Sequence, residues 1–376
     1  MKITKIKNSL HLIDTTGPGG AETLFIDIAE RLIHEGGIAV AVIRGPGWVE
    51  DTLKRKNIPY VLRDSKGSFN IGYLRFLCSL IVSNKIEVIH THLFGSSIYG
   101  SLAGLLTGTP VISTFHGLVD IKPDERFVKT KLYIVRKAAT IIAVSDAIKE
   151  NLHVNYQLRS DEVTMIPNGI NCEQFNTEKH HRLKEKHSIP PDATILGALG
   201  NIRPAKDYAT VINAVKILAD DGIDAHLFIA GDPKKELLEP LKSQIAELRL
   251  EQRIHFLGFI DDANAFLSGL DIFVSSSSSE GQPLSIFQAM SKALPIVSTK
   301  SGVESFLQDG ETAWLAPIKS PDELAKQLMK AIENPQELEC RGKRAREVVL
   351  EQFNSDIMLN RYKDLYQSLT TQRTSP

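Results

Sequence analysis

Short apolar runs alternate with helical periods from one end of the chain to the other. In the first half the runs are Leu10–Ile13, Ile38–Ile43, Val88–His90, Val111–Phe115 and Ile141–Val144. Between them apolar positions return every three or four residues. The clearest case is Ala21 to Glu35, where Leu24, Phe25, Ile28, Leu32 and Ile33 share one face and Gly36-Gly37 stops the helix. The pattern restarts with Ile195–Leu199, Leu227–Ala230, Ile254–Leu257, Ile272–Ser275 and Ile296–Ser298. Strands alternating with helices predict an α/β chain with mostly parallel sheets covered by helices on both faces, and the restart predicts two of them. The turn-rich stretch Pro167-Asn168-Gly169-Ile170-Asn171, just before the charged segment Lys179–Lys186, places the divide at residues 1–170 and 171–354. A last helix, from Ser355 to Leu369, carries Ile357, Leu359, Tyr362, Leu365 and Tyr366 as its apolar positions.

Length and composition fit this division. A chain of 376 residues exceeds what one core usually covers. Acidic and basic residues nearly cancel, 45 against 44, so no dedicated nucleic-acid binder is expected. Cys78, Cys172 and Cys340 are scattered without a C-x-x-C spacing. That excludes a disulfide framework or structural zinc site and fits a reducing, cytoplasmic setting. The segment Ile3 to Leu12 is broken by polar residues and runs into a Gly-rich loop, which reads as a first strand rather than a signal peptide. No run approaches the roughly 20 apolar residues that span a bilayer.

The most informative chemistry lies in Ser279-Glu280-Gly281-Gln282-Pro283-Leu284-Ser285, between two buried-strand patterns. Pro283 suits a first helical position, where the missing N–H costs nothing. The helix it opens presents free amides and a positive dipole end, with a carboxylate just before it. Amides for a phosphate and an acid for a hydroxyl-bearing group suggest a nucleotide-sugar site. Earlier, Gly17-Pro18-Gly19-Gly20-Ala21-Glu22 follows a strand and opens a helix, as a dinucleotide-binding turn would. Glu22 stands where that fingerprint needs its third glycine, which argues against an NAD site.

The Glu280 segment resembles the E-x7-E signature of retaining glycosyltransferases of the GT-B fold, family 4 in particular. Glu280 matches the first glutamate, and Gln288 stands where the family usually has the second, the one that holds the nucleotide ribose. Gln can hydrogen-bond a diol but cannot form the charge-assisted pair. Gly19 and Gly20 match the family's G-G-A-E loop, whose backbone faces the donor phosphates. Gly200-Asn201-Ile202-Arg203-Pro204-Ala205-Lys206 resembles its G-R-x4-K loop, with Lys206 in place, Asn201 at the arginine position and Arg203 two residues on. His116 matches the family's active-site histidine, and Pro167-Asn168-Gly169-Ile170 its interdomain motif.

What the resemblance implies is a GT-B enzyme, two Rossmann-like doubly wound domains facing across a cleft, with the terminal helix (355–376) crossing back onto the first. Catalysis then falls to His116, Arg203, Lys206 and Glu280, and donor binding to Gly19, Gly20, Gly281, Gln282, Pro283, Leu284, Ser285 and Gln288. The reaction is transfer of a hexose from a nucleoside-diphosphate sugar, UDP more than GDP, to a glycan or lipid-linked acceptor in bacterial surface polysaccharide assembly. No cofactor is expected. The chain has no D-x-D triplet, which fits a metal-independent diphosphate site where Arg203 and Lys206 meet the leaving charge. His90 and His92 form an H-x-H with no third ligand at suitable spacing, and read as core or cleft lining. Arg126, Lys129, Lys131, Arg136 and Lys137, interleaved with apolar residues, give either a solvated helix or a face toward anionic lipid at the inner face of the membrane. Two other classes stay open: a non-catalytic nucleotide-binding partner, favoured by Asn201 and Gln288, and a sugar-nucleotide hydrolase or epimerase on the same fold.

Overall fold

The computed structural model describes residues 8–67, 69–118, 120–121, 125–180, 182–233 and 235–374. The lead-in from Ile3 to Lys7 lies outside them, as do the last two residues. The chain forms two compact units: one holds everything up to Asn168 together with the stretch from Asp356 onward, the other Gly169–Ser355.

The first unit contains strands β1 (Asn8–Ile13), β2 (Ile38–Ile43), β3 (Tyr60–Leu62), β4 (Val88–His92), β5 (Val111–Phe115), β6 (Ala139–Ala143) and β7 (Val163–Met165). Its helices are α1 (Gly20–His34), α2 (Trp48–Arg55), α3 (Ile71–Ser83), α4 (Phe94–Thr107), α5 (Val128–Ala138) and α6 (Asp146–Tyr156). The second unit has helices α7 (Arg182–Lys186), α8 (Tyr208–Asp220), α9 (Lys235–Glu247), α10 (Ala263–Ser268), α11 (Leu284–Ser291), α12 (Pro321–Ile332) and α13 (Pro335–Gln352). Its strands are β8 (Thr194–Leu199), β9 (Ala225–Ala230), β10 (Ile254–Gly258), β11 (Ile272–Ser275), β12 (Ile296–Thr299) and β13 (Trp314–Ala316). The last helix, α14 (Ser355–Thr374), outruns the expected end at Leu369.

Both sheets are parallel throughout. The first runs β3-β2-β1-β4-β5-β6-β7 and the second β10-β9-β8-β11-β12-β13. Strands β4, β5, β9, β11 and β12 are buried at every position, which is why they show no polar-out alternation, and the polar residues they carry, such as His90, Thr91 and His92, are buried too. Three strands escape the sequence pattern, β3, β7 and β13, and each is a three-residue edge strand. An edge strand that short has no room to display a period. Strand β4 continues two residues past the expected His90 to include His92, and β6 begins two residues before Ile141.

Each sheet has one place where neighbouring strands send their connections in opposite directions, between β1 and β4 and between β8 and β11. Loops leaving such a switch point part from each other and open a crevice at the carboxyl ends of the strands. Helix α14 completes the first unit: Met358, Tyr362 and Tyr366, four residues apart and so on one face, pack against Leu24, Ile28 and Leu32 of α1 and against Val88, Ile112 and Ile142 of the sheet.

Candidate active site

In the second unit, the loops at the switch point carry the residues of interest. The loop after β8 tightens into one 3-10 turn, Pro204–Lys206, with Arg203 at its N-cap. The loop after β11 is the serine run. Ser276 Oγ donates to the Lys206 carbonyl (3.0 Å) and the Ser278 amide to the Ala205 carbonyl (2.8 Å). Glu280 Oε1 accepts from both Lys206 Nζ (2.7 Å) and Ser277 Oγ (2.6 Å). The Glu280 amide is held by the Ser301 carbonyl at 2.7 Å. The serines of this run therefore lock one loop to the other and aim the glutamate. A serine three residues before a candidate acid is the one signal that could have found Ser277.

Lys206 reaches Glu280 because Gly200 leaves room for it. A Cβ on Gly200 would stand 2.8 Å from Lys206 Cε. Tyr208 fixes the same spot by donating its hydroxyl to the Gly200 carbonyl at 2.7 Å, and burial raises its phenol above the usual range. Asn201 has structural employment: its Oδ1 accepts the Asp232 amide at 3.0 Å, tying the β8 loop to the β9 loop. The Arg203 carbonyl accepts the Lys206 amide at 3.0 Å, while its exposed side chain makes no hydrogen bond or ion pair among the described residues. The structure thus joins Lys206 to Glu280 and leaves Arg203 exposed at the start of the same turn.

Pro283 is the N-cap of α11 rather than its first residue, since its ψ of 112° is extended; the helix starts at Leu284. The expectation of a first-turn proline is corrected by one position. On α11, Ile286, Phe287, Ala289 and Met290 are buried, while Leu284, Ser285 and Gln288 remain half-exposed on the opposite face. Gln282 and Pro283 are buried and Gly281 is half-buried. Ser285 lines a small polar recess with Lys206, Tyr208, Ser276 and Ser277, so the helix start and the basic turn share one concavity. The first amides of a helix have no intrahelical partner and favour an anion. An ammonium, a helix start and an oriented carboxylate suit a phosphate attached to a polyhydroxylated group.

The remaining expected residues belong to the first unit. Gly19 is the N-cap of α1 and Gly20 its first residue. A Cβ on Gly19 would fall 2.3 Å from Glu22 Oε2, so the glycine admits the buried glutamate folding back over its own helix start. His116 follows β5. Its amide donates to Asp120 Oδ2 (2.6 Å), and its Nε2 lies 3.0 Å from His92 Nδ1. Desolvation pushes the Asp120 carboxyl up to about 7 and the His116 imidazole down to about 3.

The H-x-H does have a third histidine nearby, contrary to the sequence expectation. His11, paired in register with His90, brings a ring nitrogen within 4.8 Å of His90 and His92. Only strand pairing brings it there, which no spacing along the chain shows. Both nitrogens of His90 are already taken, Nδ1 by the Tyr366 hydroxyl (2.7 Å) and Nε2 by Thr114 Oγ1 (2.8 Å).

The basic face keeps only part of its charge free. Lys131 pairs with Glu125, and Arg136 with Glu162 at 2.8 Å. Arg126, Lys129 and Lys137 stay exposed beside Phe127 (73 % exposed) and Tyr133 (61 %), while Leu132 and Val135 turn inward. Among the described residues no helix is long and apolar enough to cross a membrane.

Two family models match the chain: Glycosyltransferase Family 4 over residues 18–174 and Glycosyl transferases group 1 over residues 179–348. Among curated proteins, the Escherichia coli UDP-Gal:alpha-D-GlcNAc-diphosphoundecaprenol alpha-1,3-galactosyltransferase is 25% identical over 331 residues, covering 85% of each chain. Among solved structures, a glycosyltransferase from Rickettsia africae superposes with a TM-score of 0.87 at 20% identity, over 98% of this chain and 99% of that one. Anabaena HepE in complex with UDP-glucose follows with a TM-score of 0.85 at 21% identity, over 96% and 99%.

Proposed function

This chain belongs to the glycosyltransferases of group 1 and family 4, and from that premise we propose that it moves a hexose from UDP-sugar to a lipid-linked or glycan acceptor with retention of configuration. The observation that carries the reading is the Lys206–Glu280 pair, held across the switch point beside the start of α11. As the bond to the nucleotide breaks, negative charge grows on the β-phosphate. Lys206, the exposed Arg203 and the α11 amides stabilise that charge more in the transition state than in the ground state. Glu280 supports the transferring sugar and Gln288 the ribose. His116 is read as a sugar-facing residue, and Gly19 and Gly20 as phosphate-facing backbone. UDP and a diphosphate-lipid acceptor are named for the Escherichia coli relative, and UDP-glucose for the Anabaena structure, which favours that donor and acceptor class here. Arg126, Lys129 and Lys137 would bring the enzyme to anionic lipid on the cytoplasmic side, in bacterial surface polysaccharide assembly.

The test is transfer from UDP-hexoses, with nucleotide binding followed by thermal shift. Glu280→Gln should abolish most turnover while UDP still raises the melting temperature. Lys206→Ala and Arg203→Ala should each cut turnover about a hundredfold, the loss of roughly 3 kcal/mol of charge stabilisation. Activity should survive EDTA. Chelation that stops transfer, with magnesium restoring it, would place the leaving-group charge on a metal and defeat the proposal.

A further inference from the structure

His92 and His116 meet Nδ1 to Nε2 at 3.0 Å with their rings only 17° apart. His92 is fully buried; His116 keeps some exposure, but its Nδ1 is shut off from solvent. Burial keeps both rings neutral, and a neutral imidazole carries a single N–H. One ring must therefore donate and the other accept. The far nitrogens, His92 Nε2 and His116 Nδ1, are buried and without a partner among the described residues. The shared bond decides what His116 offers at Nδ1. With His92 as donor, His116 presents an N–H there; with the bond reversed, it presents a bare lone pair.

We propose that His92 is the positioning residue of His116, fixing the tautomer and plane of that ring through the shared bond, and with them the hydrogen-bonding sense of its unpartnered Nδ1. This rests on the reading of His116 as a sugar-facing residue. The surroundings of His92 fit the task. His90 lies against its ring at 4.2 Å, and Phe25 meets it edge-on at 5.4 Å. Ser96 Oγ donates back to the His92 carbonyl. The next residue, Leu93, sits at φ 70° and ψ 156°, a conformation that a leucine rarely adopts and that persists only where neighbours enforce it. On the other side, Asp120 holds the His116 backbone, so ring and main chain of His116 have separate supports.

The experiment compares His92→Phe, which keeps aromatic volume without a nitrogen, and His92→Asn, whose amide stands near the lost Nδ1. His92→Phe should lower kcat about tenfold or more with UDP affinity unchanged, and His92→Asn should recover most of the loss. In a His116→Ala background, His92→Phe should add nothing. On the unmutated protein labelled with 15N-histidine, a scalar coupling across the N–H···N bond and one tautomer of His116 are expected, a readout that needs no variant to fold. Full kcat in His92→Phe, an equal loss in the His116→Ala background, or mixed tautomers with no coupling would each overturn the proposal. If His116→Ala is itself silent, the functional reading of His116 fails instead, and the coupling still reports whether the pair exists.

Discussion

Gln288 is half-exposed on α11, on the same face as Leu284 and Ser285. If that face meets the nucleotide ribose, Gln288→Glu restores a charge-assisted bond to the diol and should tighten UDP by about 1 kcal/mol, as calorimetric titration would measure. Weaker or unchanged binding would assign the ribose to another residue. Single residues were legible in the sequence where a motif carried them, as Glu280 and Lys206 were. Their supports were not. Ser277 and Tyr208 act through hydrogen bonds to Glu280 and Gly200, and those depend on where two loops land. Asn201 illustrates the opposite limit: its position suggested a vacant phosphate ligand, yet its side chain holds the Asp232 amide.

Among the elements, α14 joins a polar network inside the first unit. The Tyr366 hydroxyl meets His90 Nδ1, and the Tyr362 hydroxyl lies 3.3 Å from Thr114 Oγ1. Tyr366→Phe would leave a buried ring nitrogen unpaired and should cost the first unit about 1–3 kcal/mol. The two tryptophans allow this to be read separately, since Trp48 lies in the first unit and Trp314 in the second. In a Trp314→Phe background, urea unfolding followed by Trp48 fluorescence should show the loss; an unchanged midpoint would mean the hydroxyl contributes nothing. The apolar face of α14 was readable from its spacing, whereas the hydroxyl partners were not, because they lie 276 and 248 residues away in sequence on β4 and β5. The central strands were readable as short, mostly apolar runs because burial on both faces removes any polar-out alternation, and the edge strands β3, β7 and β13 were too short to show a pattern.

For the molecule as a whole, buried histidines set the response to acid. Burial depresses His11 and His116 to about 3, and His90 and His92 well below the ordinary value. At these four positions the unfolded chain therefore binds more protons than the folded one as pH falls below 6.5, and each such imidazole costs about 1.4 kcal/mol per pH unit across that interval. Asp27 and Asp120, pushed up to about 7 by burial, act in the opposite sense: their stabilising contribution is full below pH 4 and is lost as pH rises through 7. Four imidazoles outweigh two carboxyls, so the melting temperature should fall as pH drops from 7 to 5; a rise would show that these histidines are not desolvated. The placement of α14 also imposes an order on synthesis. The first unit leaves the ribosome first, yet the groove lined by Leu24, Ile28, Leu32, Val88 and Ile112 stays uncovered until the whole second unit has been translated and α14 emerges. The half of the protein begun earliest is thus the last to be finished, and any nascent chain stalled before Asp356 carries an open apolar groove that invites chaperones or aggregation.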